Sequence, residues 1–186
     1  MTEQQRFSVV GTLPEFELRR YEACVVAEVV VDGTLERAGN SAFRRLAGYI
    51  GGRNQAGRSL AMTAPVVQER AGRRIAMTAP VVQEEVGDRH VVRFVMPAGE
   101  TLRTLPEPSD ASVSLREVPA ELAAALRYSG RWTESAYQER VTRLQDAVAR
   151  AGFAVTGPPR WARFDPPWTP AFLRHNEVVL PVAARD

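Results

Sequence analysis

Beyond its 22 acidic residues and four tyrosines, the side chains of this chain that could ligate a metal or move a proton are few: two histidines, His90 and His175, a single cysteine, Cys24, and four methionine thioethers, Met62 and Met77 among them. The histidines lie far apart and form no HExxH pair, so a zincin-type metal site is excluded, and no Gly-x-Ser-x-Gly elbow offers an activated serine. All 24 basic residues are arginine. Base composition of the genome accounts for that bias, yet the absence of lysine removes Schiff-base chemistry and the Walker A phosphate grip. Arginine instead offers a planar fork suited to carboxylates. Cys24 stands alone in an apolar run and reads as a buried core thiol, with neither an intrachain disulfide nor a cysteine-rich metal site.

These groups must be positioned by a mixed set of elements. Phe16 to Val31 alternates and then becomes continuously apolar, which predicts one long or bent strand ended by Asp32-Gly33. From Thr34, residues Leu35, Ala38, Ala42, Phe43, Leu46, Ala47 and Ile50 follow helical spacing, and Gly51-Gly52 stop the helix. The segment Ala61 to Glu69, AMTAPVVQE, recurs without change at Ala76 to Glu84. With the short polar linker Arg70 to Arg74 between them, the copies predict a hairpin that sets Met62 across from Val81 and Met77 across from Val66. Pro65 and Pro80 then mark a bulge or a sheet edge. In this reading the repeat is scaffold. His90 to Pro97 follows as a third strand, and Ala98 to Asp110 as a Pro-rich connector.

The second part opens in the same way. Leu115-Arg116 mirrors Leu18-Arg19 and Ser129-Gly130 mirrors Asp32-Gly33 at one offset, which suggests halves of about 14–105 and 111–184. Ser135 with Gln138 has a capping-box pattern, and Tyr137, Val141, Leu144 and Val148 form a helical stripe closed by Gly152. Strands from Phe153 to Phe164 and from Glu177 to Val182 flank the loop Asp165 to Phe172, DPPWTPAF. The expected class is α+β in a single domain spanning 1–186, a duplicated unit with two helices on a distorted antiparallel β-barrel.

With 186 residues and 45% hydrophobic content the chain can bury one sizeable core. No run reaches the length of a membrane span and the first residues lack a signal-peptide layout, so the expectation is a cytoplasmic protein without a membrane segment. A formal charge of +2, spread among acids, gives no reason to expect nucleic acid.

Several segments together resemble the SOUL haem-binding protein family, in its bacterial branch: FELRRYE, YIGGRNQ, IAMTAPV in both copies, RFVMPAGETLRTLPEPSD, DPPWTP and RHNEVVLPV. They cover nearly the whole chain in order. The resemblance implies a pseudo-two-fold fold and non-covalent binding of haem b or another tetrapyrrole in a shallow apolar groove between the first helix and the loop before the last strand. Carried onto this chain, the groove comprises Phe43, Leu46 and Ala47 with Trp168, Pro170 and Phe172. Arg44 or Arg45, and Arg174, are placed to pair the propionates, and His175 is the first candidate for an axial iron ligand, ahead of His90, Met62 and Met77. Small residues at Ala47-Gly48 depart from relatives with longer side chains there, which weakens haem binding or opens space for another ligand.

The implied role is storage, buffering or transfer of haem or porphyrin, with no catalysis beyond weak peroxidase-like turnover by an exposed bound haem. The alternative is a small-molecule-binding or hydrolytic protein of the related gyrase-inhibitor-like fold, using the same groove for a hydrophobic or cationic ligand, with Glu177 as its buried carboxylate.

Overall fold

The computed structural model describes residues 3–33, 35–60, 63–64, 66–70, 89–131, 133–165 and 168–185. The run expected as one strand from Phe16 to Val31 is two. In chain order the elements are β1 (Glu3–Gln4), β2 (Phe7–Thr12), β3 (Glu17–Tyr21), β4 (Cys24–Asp32), α1 (Leu35–Ile50), β5 (Thr63–Ala64), β6 (Val66–Arg70), β7 (Arg89–Val95), β8 (Val113–Val118), β9 (Glu121–Tyr128), α2 (Glu134–Arg150), β10 (Phe153–Val155), β11 (Arg160–Arg163), a 3-10 turn (Ala171–Leu173) and β12 (Asn176–Ala184). The chain breaks at Glu22-Ala23 and changes place in the sheet: β3 pairs with β2 and β9, whereas β4 pairs with β7 and β8. β4 is buried on both faces at Val25, Val26 and Ala27, next to the break, so its sequence there shows no alternation that would have marked it.

The strands form a mixed-order sheet of ten, running β2-β3-β9-β12-β11-β6-β7-β4-β8 with β10 against the end of β12. Its pairings are antiparallel; the small β1–β5 pair, in a separate two-stranded sheet, is parallel. The expected barrel does not close, because β2 and β8 are edges that do not pair with each other. Two helices supply the second layer instead, so the core is buried by stacking layers and closure is not required.

Register places both helices on one face. Val29 lies opposite Val92, Val92 opposite Gln68, Gln68 opposite Trp161 and Trp161 opposite Val178. Directly paired residues point to the same side of a sheet. Val29 and Val92 belong to the core under α1, with Leu46, Tyr49 and Phe94, while Trp161 and Val178 belong to the core under α2, with Tyr137, Leu144 and Val148. The alternate positions, Ala125, Ala162 and Val179, form a third cluster on the other face with Tyr21. There Phe7 of β2 and Val67 of β6, strands far apart in the sheet order, line one small cavity, so the sheet curls toward that side.

Helix α2 follows its sequence pattern, with Tyr137, Val141, Leu144 and Val148 buried and Gly152 at φ +81 just past its end. Its cap lies two residues before the expected one: the Thr133 side chain accepts from the Ala136 backbone N–H. Cys24 is half-buried, not core, and its sulfur accepts a bond from Gln5 Nε2 at 3.4 Å.

The hairpin reading of the repeat needs correction. β6, from the first copy, has both edges occupied: Val66 lies opposite Phe94 of β7 on one side and Arg163 of β11 on the other. Met77 is therefore not the ladder partner of Val66. The second copy, 76–84, and the linker 71–74 lie outside the described residues, as does Met62.

Candidate ligand site

Helix α1 sorts its side chains by angle. Ala42, Leu46, Tyr49 and Ile50 face the sheet and are buried. Phe43, Ala47 and Gly51, four residues apart, form a row along its shoulder, with Arg44 and Gly48 in the next row. These five residues and Arg53 line an open concavity of about 440 Å³. Phe43 is its aromatic wall; it is 41% exposed and meets Phe94 edge-on at 5.4 Å between ring centroids. Leu46, expected in the groove, is fully buried in the core between helix and sheet and does not line the concavity. Of the two arginines proposed for propionates, Arg44 reaches the concavity. Arg45 is not among its lining residues and acts on Asp110, whose carboxyl is held below its usual range by Ser112 and, more weakly, by Arg45.

The end of the concavity is built by the YIGGRNQ segment. A Cβ at Gly51 would sit 2.9 Å from the Ala47 carbonyl oxygen, and Gly52 takes φ +101, so neither position accepts a side chain without strain. Asn54, 6% exposed, then locks the exit: its Nδ2 donates to the Tyr49 and Arg58 carbonyls and its Oδ1 accepts from Arg58 N–H. Asn54→Ala removes all three bonds and leaves the Tyr49 carbonyl only its bond from Gly52 N–H, and an expected loss of about 1–3 kcal/mol can be read from urea unfolding.

The residues expected to form the second wall of the groove are exposed. Trp168 and Phe172 are 81% and 75% exposed, and Pro170 is also exposed. The Arg174 guanidinium donates from Nε to the Thr169 carbonyl at 2.8 Å, which ties the loop to itself. The loop contributes no lining residue to the concavity along α1.

His175 points to the face away from the helices. Asn176 and Val178 are buried on the helix side, so alternation sends His175 and Glu177 the other way. His175 stacks on Phe164 at 4.1 Å, and its Nε2 is 2.9 Å from Glu177 Oε1. Glu177, 2% exposed, is also gripped by Arg19, whose Nη1 and Nη2 donate to its two oxygens at 2.7 and 3.0 Å. Arg19 is itself 6% exposed, stacks over Phe7, and bonds Glu17 and the Tyr21 hydroxyl. Burial opposes charge on both members of the pair, but hydrogen bonds prevail: those from His175 and then Arg19 hold Glu177 below its ordinary pKa, and Arg19 is raised by its bond to Glu177. Together with Phe16, Ala125 and Arg127 these groups line a cavity of about 400 Å³.

His90, the weaker ligand candidate, is buried within β7. Arg19 and the pocket residues Gly51 and Arg53 were not singled out by sequence reasoning. The four-residue spacing of Phe43, Ala47 and Gly51 was a usable signal for the row; nothing local signalled the partnership of Arg19 with Glu177, which spans 158 positions. Among the described residues no group of three or more His, Cys, Asp or Glu side chains is placed to hold a metal ion, and no helix is long and apolar enough to cross a membrane.

A family model described as SOUL heme-binding protein matches residues 2–181. No curated protein matches. Among solved structures, the crystal structure of the EcmrR C-terminal domain is similar at a TM-score of 0.66 and 15% identity, over 94% of this chain and 100% of that one. EcmrR in a cryo-EM structure of its DNA complex is similar at a TM-score of 0.65 and 15% identity, over 92% of this chain and 58% of that chain. A hydrolase from Listeria innocua is similar at a TM-score of 0.59 and 12% identity, over 94% of each chain. At these identities the likeness is one of fold.

Proposed function

The chain belongs to the SOUL haem-binding protein family, and from that premise we propose that it binds haem b or another tetrapyrrole non-covalently in the concavity along α1, for storage, buffering or transfer in the cytoplasm. The observation that carries this reading is the make-up of that concavity: an exposed aromatic wall at Phe43, small residues at Ala47, Gly48 and Gly51, and guanidinium donors at Arg44 and Arg53. A tetrapyrrole is a flat apolar disc with carboxylates on its edge, and this surface offers a counterpart to each feature. The small residues that set this helix apart from some relatives provide the space for a disc to approach the backbone. An open site favours release, as a carrier or buffer requires.

The same concavity has no His, Met, Cys or Tyr among its described lining residues. His175 lies on the other face with Nε2 engaged by Glu177. The proposal therefore places no protein side chain on the iron. Hemin titrated into the protein should give a saturable Soret shift near one equivalent, and His175→Ala should leave that spectrum and affinity unchanged. An unchanged hemin spectrum at micromolar protein would overturn haem binding, and loss of the shift in His175→Ala would reinstate that histidine as ligand.

A second reading rests on Glu177, a buried carboxylate at a separate cavity of about 400 Å³. It assigns small-molecule binding or hydrolysis to that face. Arg19 is shared between Glu177 and Glu17, and Glu15 also lines the cavity, so its three carboxylates beside Arg19 and Arg127 suit the hydrophobic or cationic ligand of that reading. Binding of such ligands by protein that ignores hemin would favour it.

We also read the whole as one domain of two related halves, about 14–105 and 111–184. The sheet order supports this: counted inward from β3 and from β8, the strands meet as β3 with β8, β9 with β4, β12 with β7 and β11 with β6. In each half a strand and a glycine turn lead into the helix.

A further inference from the structure

The most exposed apolar side chains of the described chain are gathered in one place, and the ligand site leaves them unused. Trp168, Phe172 and Leu173 are 81%, 75% and 64% exposed, all within the loop before β12. Folding normally hides tryptophan and phenylalanine, so a cluster displayed this fully marks an interaction surface.

The loop is not a slack one. Its 3-10 turn is closed by Leu173 N–H donating to the Pro170 carbonyl at 2.9 Å. The Ala171 carbonyl accepts from Gly130 N–H at 3.0 Å, and the Thr169 carbonyl accepts from Arg174 Nε at 2.8 Å. The carbonyls of Thr169, Pro170 and Ala171 thus have partners within the protein. Those bonds lower the cost of taking this turn out of water, which favours entry into a lipid interface.

Charge around the tip has one sign. The two segments that bond to one another here, 127–131 and 165–174, contain Arg127, Arg131 and Arg174 against a single acid, Asp165. Asp165 is engaged inward, accepting from His175 N–H, while Arg127 and Arg131 are exposed. The patch is also small for a protein partner. Three side chains offer of the order of 400 Å², about half of the roughly 800 Å² that each partner contributes to a stable interface.

We infer that this loop docks the protein on anionic membrane surfaces, with Trp168, Phe172 and Leu173 entering the headgroup layer and Arg127, Arg131 and Arg174 meeting lipid phosphates. Aromatic side chains at the interface, with arginines reaching back to phosphate, are the usual division of labour at such a boundary. The inference is independent of the haem reading, since the α1 concavity takes no lining residue from the loop.

Flotation of the full chain with phosphatidylcholine vesicles containing about one-third phosphatidylglycerol tests it. Binding should fall on the order of tenfold in pure phosphatidylcholine, and comparably in high salt, because each arginine near the surface adds a screened attraction. Trp168→Ser/Phe172→Ser should lose on the order of tenfold in vesicle affinity, and Arg131→Glu should weaken binding to anionic vesicles only. Both variants change exposed residues, so their urea midpoints should match wild type and their hemin affinity should stay within about twofold. No flotation with anionic vesicles, or flotation that the double variant leaves unchanged, would overturn the inference. So would a collapse of hemin affinity in the double variant, which would make the loop a wall of the haem site, or conversion of a wild-type dimer to a monomer without vesicle binding.

Discussion

Arg19→Ala should destabilise the folded protein by about 3–5 kcal/mol at neutral pH, a large share of the total stability of a domain of this size. The reason is what the variant leaves behind. Glu177 is 2% exposed and its two oxygens are held by Arg19. Without that guanidinium only His175 still bonds the carboxylate, and burial then works against the charge. The pH dependence follows with a definite sign. In wild type, Glu177 titrates below its ordinary value of 4.5, burial raising it but the bonds from His175 and Arg19 lowering it more. The pair's contribution is therefore fully present above about pH 4.5 and is lost as pH falls through the lower folded value. In Arg19→Ala burial dominates and the folded value rises above the unfolded one, so the variant loses stability as pH climbs past it. The gap between variant and wild type should be narrowest in acid below the lowered folded value of Glu177 and widen toward neutrality, as urea unfolding at a series of pH values would read. An apolar exchange of both partners, Arg19→Met with Glu177→Leu, should recover most of the loss. A uniform gap across pH would assign the damage to lost packing over Phe7 instead.

That pair also shows where a single sequence stops being legible. The local alternation Asn176, Glu177, Val178, with Val178 and Leu180 fit for a core, was enough to say that His175 and Glu177 share a face. The side of the sheet on which the helices lie was not readable, because both helices and both faces carry apolar residues. The expected groove therefore joined His175 to α1 although the sheet separates them. Helix α2 was readable because four apolar residues at helical spacing face one buried side and a glycine closes it. β4 was not separated from β3, since a strand covered on both faces at its start has no period to interrupt there. The repeated AMTAPVVQE suggested the wrong neighbour for a related reason. Identical copies joined by a short linker satisfy every local rule for a hairpin, but strand pairing is decided by the whole sheet, and β7 and β11 occupy both edges of β6. The motifs that carried the family resemblance prove to be largely architectural in this chain: YIGGRNQ closes α1 through Gly51 and Asn54, and FELRRYE contains the Arg19 that neutralises Glu177.

The stronger effect on ligand binding should come from filling the α1 concavity. Ala47 stands mid-row between Phe43 and Gly51, half-buried, while its neighbour Leu46 makes the packed contact with the core. Ala47→Trp places a large ring where a disc would lie, and because the position opens outward the added volume need not invade the core. Hemin affinity should fall at least on the order of tenfold, more than 1.4 kcal/mol of binding energy, while the urea midpoint shifts little. Phe43→Ala removes the aromatic wall and should cost affinity as well, by a smaller factor, since the small residues and the donors remain. Arg44→Gln and Arg53→Gln test the edge: each should weaken hemin more than a tetrapyrrole whose carboxylates are esterified, because only the free acid gains from a guanidinium partner. Equal losses for both ligands would mean that the arginines shape the surface without reading the carboxylates. If Ala47→Trp instead binds hemin like wild type, the disc does not lie on α1, and the cavity lined by Glu177 and Phe164 becomes the place to test by the same titration.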